Sequence, residues 1–168
     1  MKMTCEVKKH LLFVNGKQVI FKQSPNHGGV IKPRLIVIHY TGDNSKGGAI
    51  SWLCAKEAKV SAHLVVGKDG TITQLLPFNV QGWHAGKSEY EGQLGVNNFS
   101  IGIENVGTGD FWPDKQIEAN RAIIEALFAA YPTIQDVTGH EDIAIPTGRK
   151  SDPGPRYPWD KVTTEVEG

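Results

Sequence analysis

Residues 34–41 read RLIVIHYT, directly after Pro33. Leu35, Ile36, Val37 and Ile38 are apolar without a break, and the last three are β-branched. A strand with one wet face alternates apolar and polar residues, whereas an unbroken β-branched run marks a strand buried on both faces. Such a strand needs cover above and below, so the run predicts the interior of a layered α/β sheet. It ends on His39, where a side chain can leave the core and enter a cleft.

The elements on either side fit that architecture. Upstream, LLFVNGKQVIF (residues 11–21) is two β-type runs around Asn15-Gly16, the strongest short hairpin signal, and it is expected to extend the sheet. Downstream, residues 47–59 have helical spacing at Ile50, Leu53, Cys54 and Glu57. A helix is expected from Gly47 or Gly48, ending before Val60, with Cys54 in the core. SAHLVVGKDGTITQLLP (residues 61–77) predicts a second hairpin turning at Asp69-Gly70. Residues 79–99 have no clean period, and a loop of that length in a compact domain is usually functional. SIGIENVG (residues 100–107) reads as a strand with Ile101 and Ile103 on one face and Glu104 near its end. Pro113 and Asp114 open a helix to about Ala130 with a buried stripe of Ile117, Asn120 or Arg121, Ile124, Leu127, Phe128 and Tyr131, stopped by Pro132. IQDVTGH (residues 134–140) is a last strand ending on His140, and DPGPRYPWDKV (residues 152–162) is a stiff tail closing in a helical turn.

Strands and helices alternate without repeats or linkers. The expected fold is therefore α/β: a single domain over residues 1–168, with a central mixed β-sheet flanked by helices and an N-terminal β-hairpin. Residues 1–33 form the hairpin extension and residues 34–160 the catalytic core.

Composition narrows the function classes. Hydrophobic residues make up 39% and charged residues 21% of 168, the balance of a soluble globular chain. Acids and bases are equal at 18 each, which gives no electrostatic case for a nucleic-acid partner or an anionic membrane. The first residues lack an apolar run long enough for a signal sequence, and no segment approaches the roughly 18 apolar residues of a membrane span. No membrane insertion is expected, and the protein is expected to stay in the cytoplasm as synthesised. Cys5 and Cys54 have no metal or redox spacing and read as free thiols. The Lys8-Lys9-His10 cluster reads as a solvated face. Oligomeric state is open.

Residues 147–155 read TGRKSDPGP. Three rigid or turn-forming residues follow Asp152, and Lys150, two positions earlier, points to the same side in an extended chain. Together with His39 and His140 this makes two imidazoles and one carboxylate at strand ends or stiff turns, the composition of an open catalytic zinc site. On the residues alone a second reading stays open, in which the histidines are hydrogen-bonded surface groups and DPGP is a plain turn. The long spacing does not decide between them.

Six segments resemble one family closely and in order: VIHYT, SAHLVVGKDGTITQLLP, GWHAG, FSIGIEN, TGHEDIA and KSDPGP. The resemblance covers about residues 34–159 and is to the zinc-dependent, type 2 N-acetylmuramoyl-L-alanine amidases, related to phage lysozyme-amidases and animal peptidoglycan recognition proteins. It implies Zn²⁺ as cofactor with His39, His140 and Asp152 as ligands. Asp152 stands where phage lysozyme-type members have a cysteine. Glu104 matches the family's acidic residue, which would take a proton from the attacking water and deliver it to the leaving nitrogen, and Lys150 the lysine that would stabilise the oxyanion. His84 of GWHAG, Trp83 and His63 are expected to line the cleft and bind substrate, His84 alternatively holding the loop and His63 alternatively supporting the ligands.

The implied reaction is hydrolysis of the amide between N-acetylmuramic acid and L-alanine, with peptidoglycan or a muropeptide as partner. EGQLGVNNF (residues 91–99) has no basic residue where recycling members commonly carry them. The expectation is therefore a phage-type endolysin, bacteriolytic and released to the wall by a separate factor. The alternative is a cytosolic muropeptide-recycling amidase, and behind it a non-catalytic peptidoglycan-binding module.

Overall fold

A computed structural model describes residues 2–167, and the side chains of residues 2–163. β1 (Cys5–Lys8), β2 (Leu11–Val14) and β3 (Lys17–Gln18) form an antiparallel sheet of their own. Asn15 and Gly16 turn between β2 and β3 with φ of 49° and 83°, the paired positive values that a tight two-residue hairpin requires. The expected hairpin is thus present, but it does not extend the central sheet; only β4 (Ile20–Phe21) does. β1 packs instead on the long helix, where Cys5 and Val7 lie against the main core. His10 is not part of a solvated face either, since its Nδ1 is 2.6 Å from the Tyr131 hydroxyl.

β5 (His27–Val30) pairs with β9 (Val80–Gly82). The central sheet takes β6 (Leu35–Tyr40), β7 (Leu64–Val66), β8 (Ile72–Gln74), β12 (Ser100–Asn105) and β13 (Asp136–Gly139) in the order β13-β6-β12-β7-β8-β4. It is mixed: β13, β6, β12 and β7 run parallel, and β8 returns antiparallel to β7. Leu35 to Ile38 are fully buried, on a strand held between β13 and β12, as the unbroken run requires. Between the central strands lies a segment read above as a long loop; it holds β9, a small hairpin of β10 (Glu89–Tyr90) and β11 (Gln93–Leu94), and a turn of 3₁₀ helix over Val96–Phe99.

The two sheet faces differ. Ile36, Ile38, Leu64, Val66, Ile101 and Ile103 pack under α2 (Asp114–Ala130) in the main core. On the opposite face Leu35 and Val37 meet Ala85, Val96, Phe99 and Ile143, and Val65 meets Ala49 and Leu53 of α1 (Lys46–Leu53). α3 (His140–Ile143) follows β13 directly, and α4 (Trp159–Glu167) closes the chain against α2.

α1 is shorter than its apolar spacing suggests. Ser45 caps it, its Oγ accepting from Gly48 N–H at 2.9 Å, and it stops at Leu53. There the carbonyls of Leu53 and Ala55 are taken by Ser24 Oγ and Asn26 Nδ2, at 2.6 and 2.9 Å. These caps come from residues far away in sequence. Cys54 sits half-buried at the edge of its cluster rather than in the core.

Candidate active site

His39 is the fifth residue of β6, and its register partner on β12 is Glu104. Paired residues of neighbouring strands project to the same face, so the alternation of β12 puts Ser100, Gly102 and Glu104 on the side of His39 and Ile101 and Ile103 in the core. His140 arrives at the end of β13, as the first residue of α3 rather than the last of the strand. Asp152 comes from the TGRKSDPGP segment, which lies against this sheet end. A Cβ on Gly139 would stand 2.6 Å from Pro153 Cδ, so the glycine is what allows the approach.

Three atoms converge there. His39 Nδ1 is 3.1 Å from His140 Nδ1 and 3.1 Å from Asp152 Oδ2, and His140 Nδ1 is 3.3 Å from Asp152 Oδ2. Beyond them, His140 Nε2 lies 2.9 Å from the Ala85 carbonyl. A carbonyl only accepts, so the proton of a neutral His140 is on Nε2 and its Nδ1 offers a lone pair to the group. Burial, the largest effect, favours neutral His39, although the neighbouring Asp152 works the other way. Burial opposes the charge on Asp152, but the two imidazoles beside it hold the carboxyl well below the usual range. Lone pairs and a carboxylate facing one another at this spacing suit a cation at their centre. With bonds of about 2.0 Å, a tetrahedral ion separates its ligands by about 3.3 Å. His39, His140 and Asp152 therefore fit a metal site, and they form the one group of this kind among the described residues.

The site opens into a cavity of about 500 Å³. Glu104, Lys150, Trp83 and His84 line it, together with residues the sequence did not single out, among them Tyr40, Trp52, Arg149 and Ser151. Glu104 Oε1 is sealed from solvent without a hydrogen-bond partner. Burial and the nearby Asp152 charge push its carboxyl well above the ordinary value, with Lys150 opposing. Arg149 donates to the carbonyls of Ala85, Lys87 and Ile145 at 2.9–3.0 Å and ties the GWHAG loop to the TGRKSDPGP segment.

One of the expected substrate contacts, His63, falls elsewhere, and His84 reaches the cavity wall but turns its ring nitrogens inward. His63 is fully buried and off the cavity; its Nδ1 accepts from Gly102 N–H at 3.0 Å, and its Nε2 donates to the Val80 carbonyl at 2.7 Å. Burial brings it down to about 4, so it is a neutral strut between β12 and β9. His84 is 8% exposed and turned inward, with Nδ1 2.9 Å from His39 Nε2 and Nε2 3.1 Å from Ser100 Oγ. A Cβ on Gly102 would lie 2.5 Å from His84 Cγ, so this ring rests on bare backbone. Under the other face, Asn105 Nδ2 donates to the His39 carbonyl at 3.1 Å, and Asn120 Nδ2 and the Tyr157 hydroxyl complete a buried polar network there. Neither Ser100 nor Asn105 carried a signal beyond its place on a strand.

The sequence profile of the N-acetylmuramoyl-L-alanine amidase family matches residues 29–155, and the chain belongs to that family. The chain is 45% identical over 110 residues to the 1,6-anhydro-N-acetylmuramyl-L-alanine amidase AmpD of Salmonella typhimurium (strain SL1344), a match covering 64% of this chain and 58% of that one. It thus spans little more than half the length of this relative. A crystal structure of a selenomethionine AmpD derivative superposes with a TM-score of 0.78 at 30% identity, covering 94% of this chain and 97% of that one. The AmiD amidase of Escherichia coli, solved with anhydro-N-acetylmuramic acid-L-Ala-D-γ-Glu-L-Lys, superposes with a TM-score of 0.73 at 28% identity, covering 96% of this chain and 65% of that one.

Proposed function

We propose that this protein hydrolyses the amide bond between N-acetylmuramic acid and L-alanine, and that its substrates are soluble 1,6-anhydro-muropeptides. The observation that carries the reading is the donor triangle of His39, His140 and Asp152 at the floor of an open cavity, with Glu104 beside it. A Zn²⁺ held by those three residues would supply Lewis acidity, lowering the pKa of water and polarising the amide carbonyl. Glu104 accepts the proton of the attacking water on its carboxylate and returns it to the leaving nitrogen of L-alanine. Lys150 places its ammonium against the oxyanion that develops on the carbonyl oxygen. Trp83 and Trp52 wall the cavity with apolar rings suited to a sugar face or the stem peptide.

The soluble substrate replaces the endolysin expected above. The AmpD relative is named for an anhydro-muramyl substrate, and the AmiD structure holds one, which supports the recycling alternative over a bacteriolytic enzyme released to the wall. The expectation rested on a basic residue missing from residues 91–99, but Arg149 and Lys150 bring positive charge to the cavity from a distant segment. Mass spectrometry of products separates the roles. Cleavage of a soluble anhydro-muropeptide to sugar and free stem peptide, with little release from intact sacculi, is expected. Stem peptides released from sacculi alone would restore the lysin, and no cleavage of either by zinc-loaded protein would defeat the amidase reading.

A further inference from the structure

The dipeptide His84-Ala85 touches both imidazoles of the donor triangle on the side away from it. His84 Nδ1 lies 2.9 Å from His39 Nε2, and the Ala85 carbonyl lies 2.9 Å from His140 Nε2. We propose that His84-Ala85 is a positioning element that fixes both histidines with their protons on Nε2 and their Nδ1 lone pairs on the metal position. This rests on the metal-centre reading above and adds residues that act on the metal only through its ligands.

With both Nδ1 atoms committed to a metal, one proton assignment satisfies the contacts outside the triangle. With His39 Nδ1 turned to the triangle, its proton is on Nε2 and is donated to His84 Nδ1. The proton of His84 is then on Nε2, facing Ser100 Oγ at 3.1 Å, an oxygen able to accept it. His140 needs no such chain, because the Ala85 carbonyl can only accept.

The dipeptide is itself held in place. Asn97 Oδ1 accepts from the backbone N–H groups of His84 and Ala85 at 3.1 and 2.9 Å. Arg149 shares the Ala85 carbonyl at 3.0 Å. The missing side chain of Gly102 gives the His84 ring its seat. Outer partners of metal-ligating histidines set ring orientation and ligand basicity, and their loss costs about 10–100-fold in metal affinity.

The test is zinc affinity, measured by competition with a chromophoric chelator, of wild type, His84→Ala and His84→Gln. His84→Ala is expected to bind zinc about 10–100-fold more weakly, and His84→Gln, which keeps an acceptor within reach of His39 Nε2, to recover most of the loss. Wild-type affinity in folded His84→Ala would overturn the proposal while leaving the metal centre standing. Wild type that binds no zinc would remove both. Long-range ¹H–¹⁵N spectra of zinc-loaded wild type decide independently of any variant's folding: both His39 and His140 protonated on Nε2 supports the assignment, and either protonated on Nδ1 overturns it.

Discussion

Glu104 and His39 are register partners on adjacent parallel strands, so the acidic residue of SIGIEN and the histidine of LIVIH rise side by side from one face of the sheet. Strand pairing is stiff, which places a carboxyl beside one histidine of the donor triangle without relying on a loop. Replacing Glu104 by Gln keeps shape while removing the proton acceptor. Glu104→Gln is expected to retain fold and zinc content and to lose about 10²–10⁴ in turnover. Steady-state kinetics at matched metal content check this, and wild-type turnover would remove Glu104 from the proton-transfer role.

Gly102 tests the seat of the GWHAG loop. Its would-be Cβ stands 2.5 Å from the His84 ring, and its own strand is flanked on both sides by β6 and β7. Neither partner has room to withdraw, so Gly102→Ala is expected to destabilise the fold by about 1–3 kcal/mol. Urea denaturation reads the loss as a lower midpoint with an unchanged m-value. An unchanged midpoint would mean that the loop moves freely off the strand.

His63 gives the fold an acid sensitivity unrelated to catalysis. Burial lowers its folded-state value to about 4 from an ordinary 6.5, so below pH 6.5 the unfolded chain binds a proton that the folded chain refuses. Its contribution is fully present above pH 6.5 and is lost as pH falls toward 4, by about 3 kcal/mol in all. Urea unfolding at pH 7.5, 5.5 and 4.5, with the His63 ring followed by NMR, checks the sign. A ring that titrates near 6.5 in the folded protein contradicts the buried role.

Trp52, 59% exposed on α1 at the cavity wall, is expected to act on binding rather than chemistry. Trp52→Ala should raise KM roughly tenfold, the effect of about 1.4 kcal/mol, with kcat nearly unchanged. A fall in kcat at constant KM would move Trp52 into the reacting geometry.

What could be read from the chain divides along physical lines. The unbroken run Leu35 to Ile38 and the Asn15-Gly16 and Asp69-Gly70 turns are local signals, and the structure has the buried strand and both hairpins. The position of His39 followed from the end of that unbroken run, and that of Glu104 from the alternation of Ile101 and Ile103 before it. Contacts made by distant residues were not legible. Ser24 and Asn26 end α1 early, the Ala85 carbonyl reaches the site as backbone that any residue type could supply, the Arg149 guanidinium holds that carbonyl from a distant segment, and His63 is taken inward by bonds to Gly102 and Val80. The motif SAHL showed that a histidine matters there; only packing shows that it matters as a strut.

The most direct test of the central claim is a zinc titration of chelator-stripped protein, following cleavage of a soluble anhydro-muropeptide, with Asp152→Ala in parallel. The account predicts that stripped wild type is inactive, that activity returns and saturates at one zinc per chain, and that Asp152→Ala binds zinc far more weakly. Full activity in the stripped protein, or wild-type zinc affinity in Asp152→Ala, would contradict it.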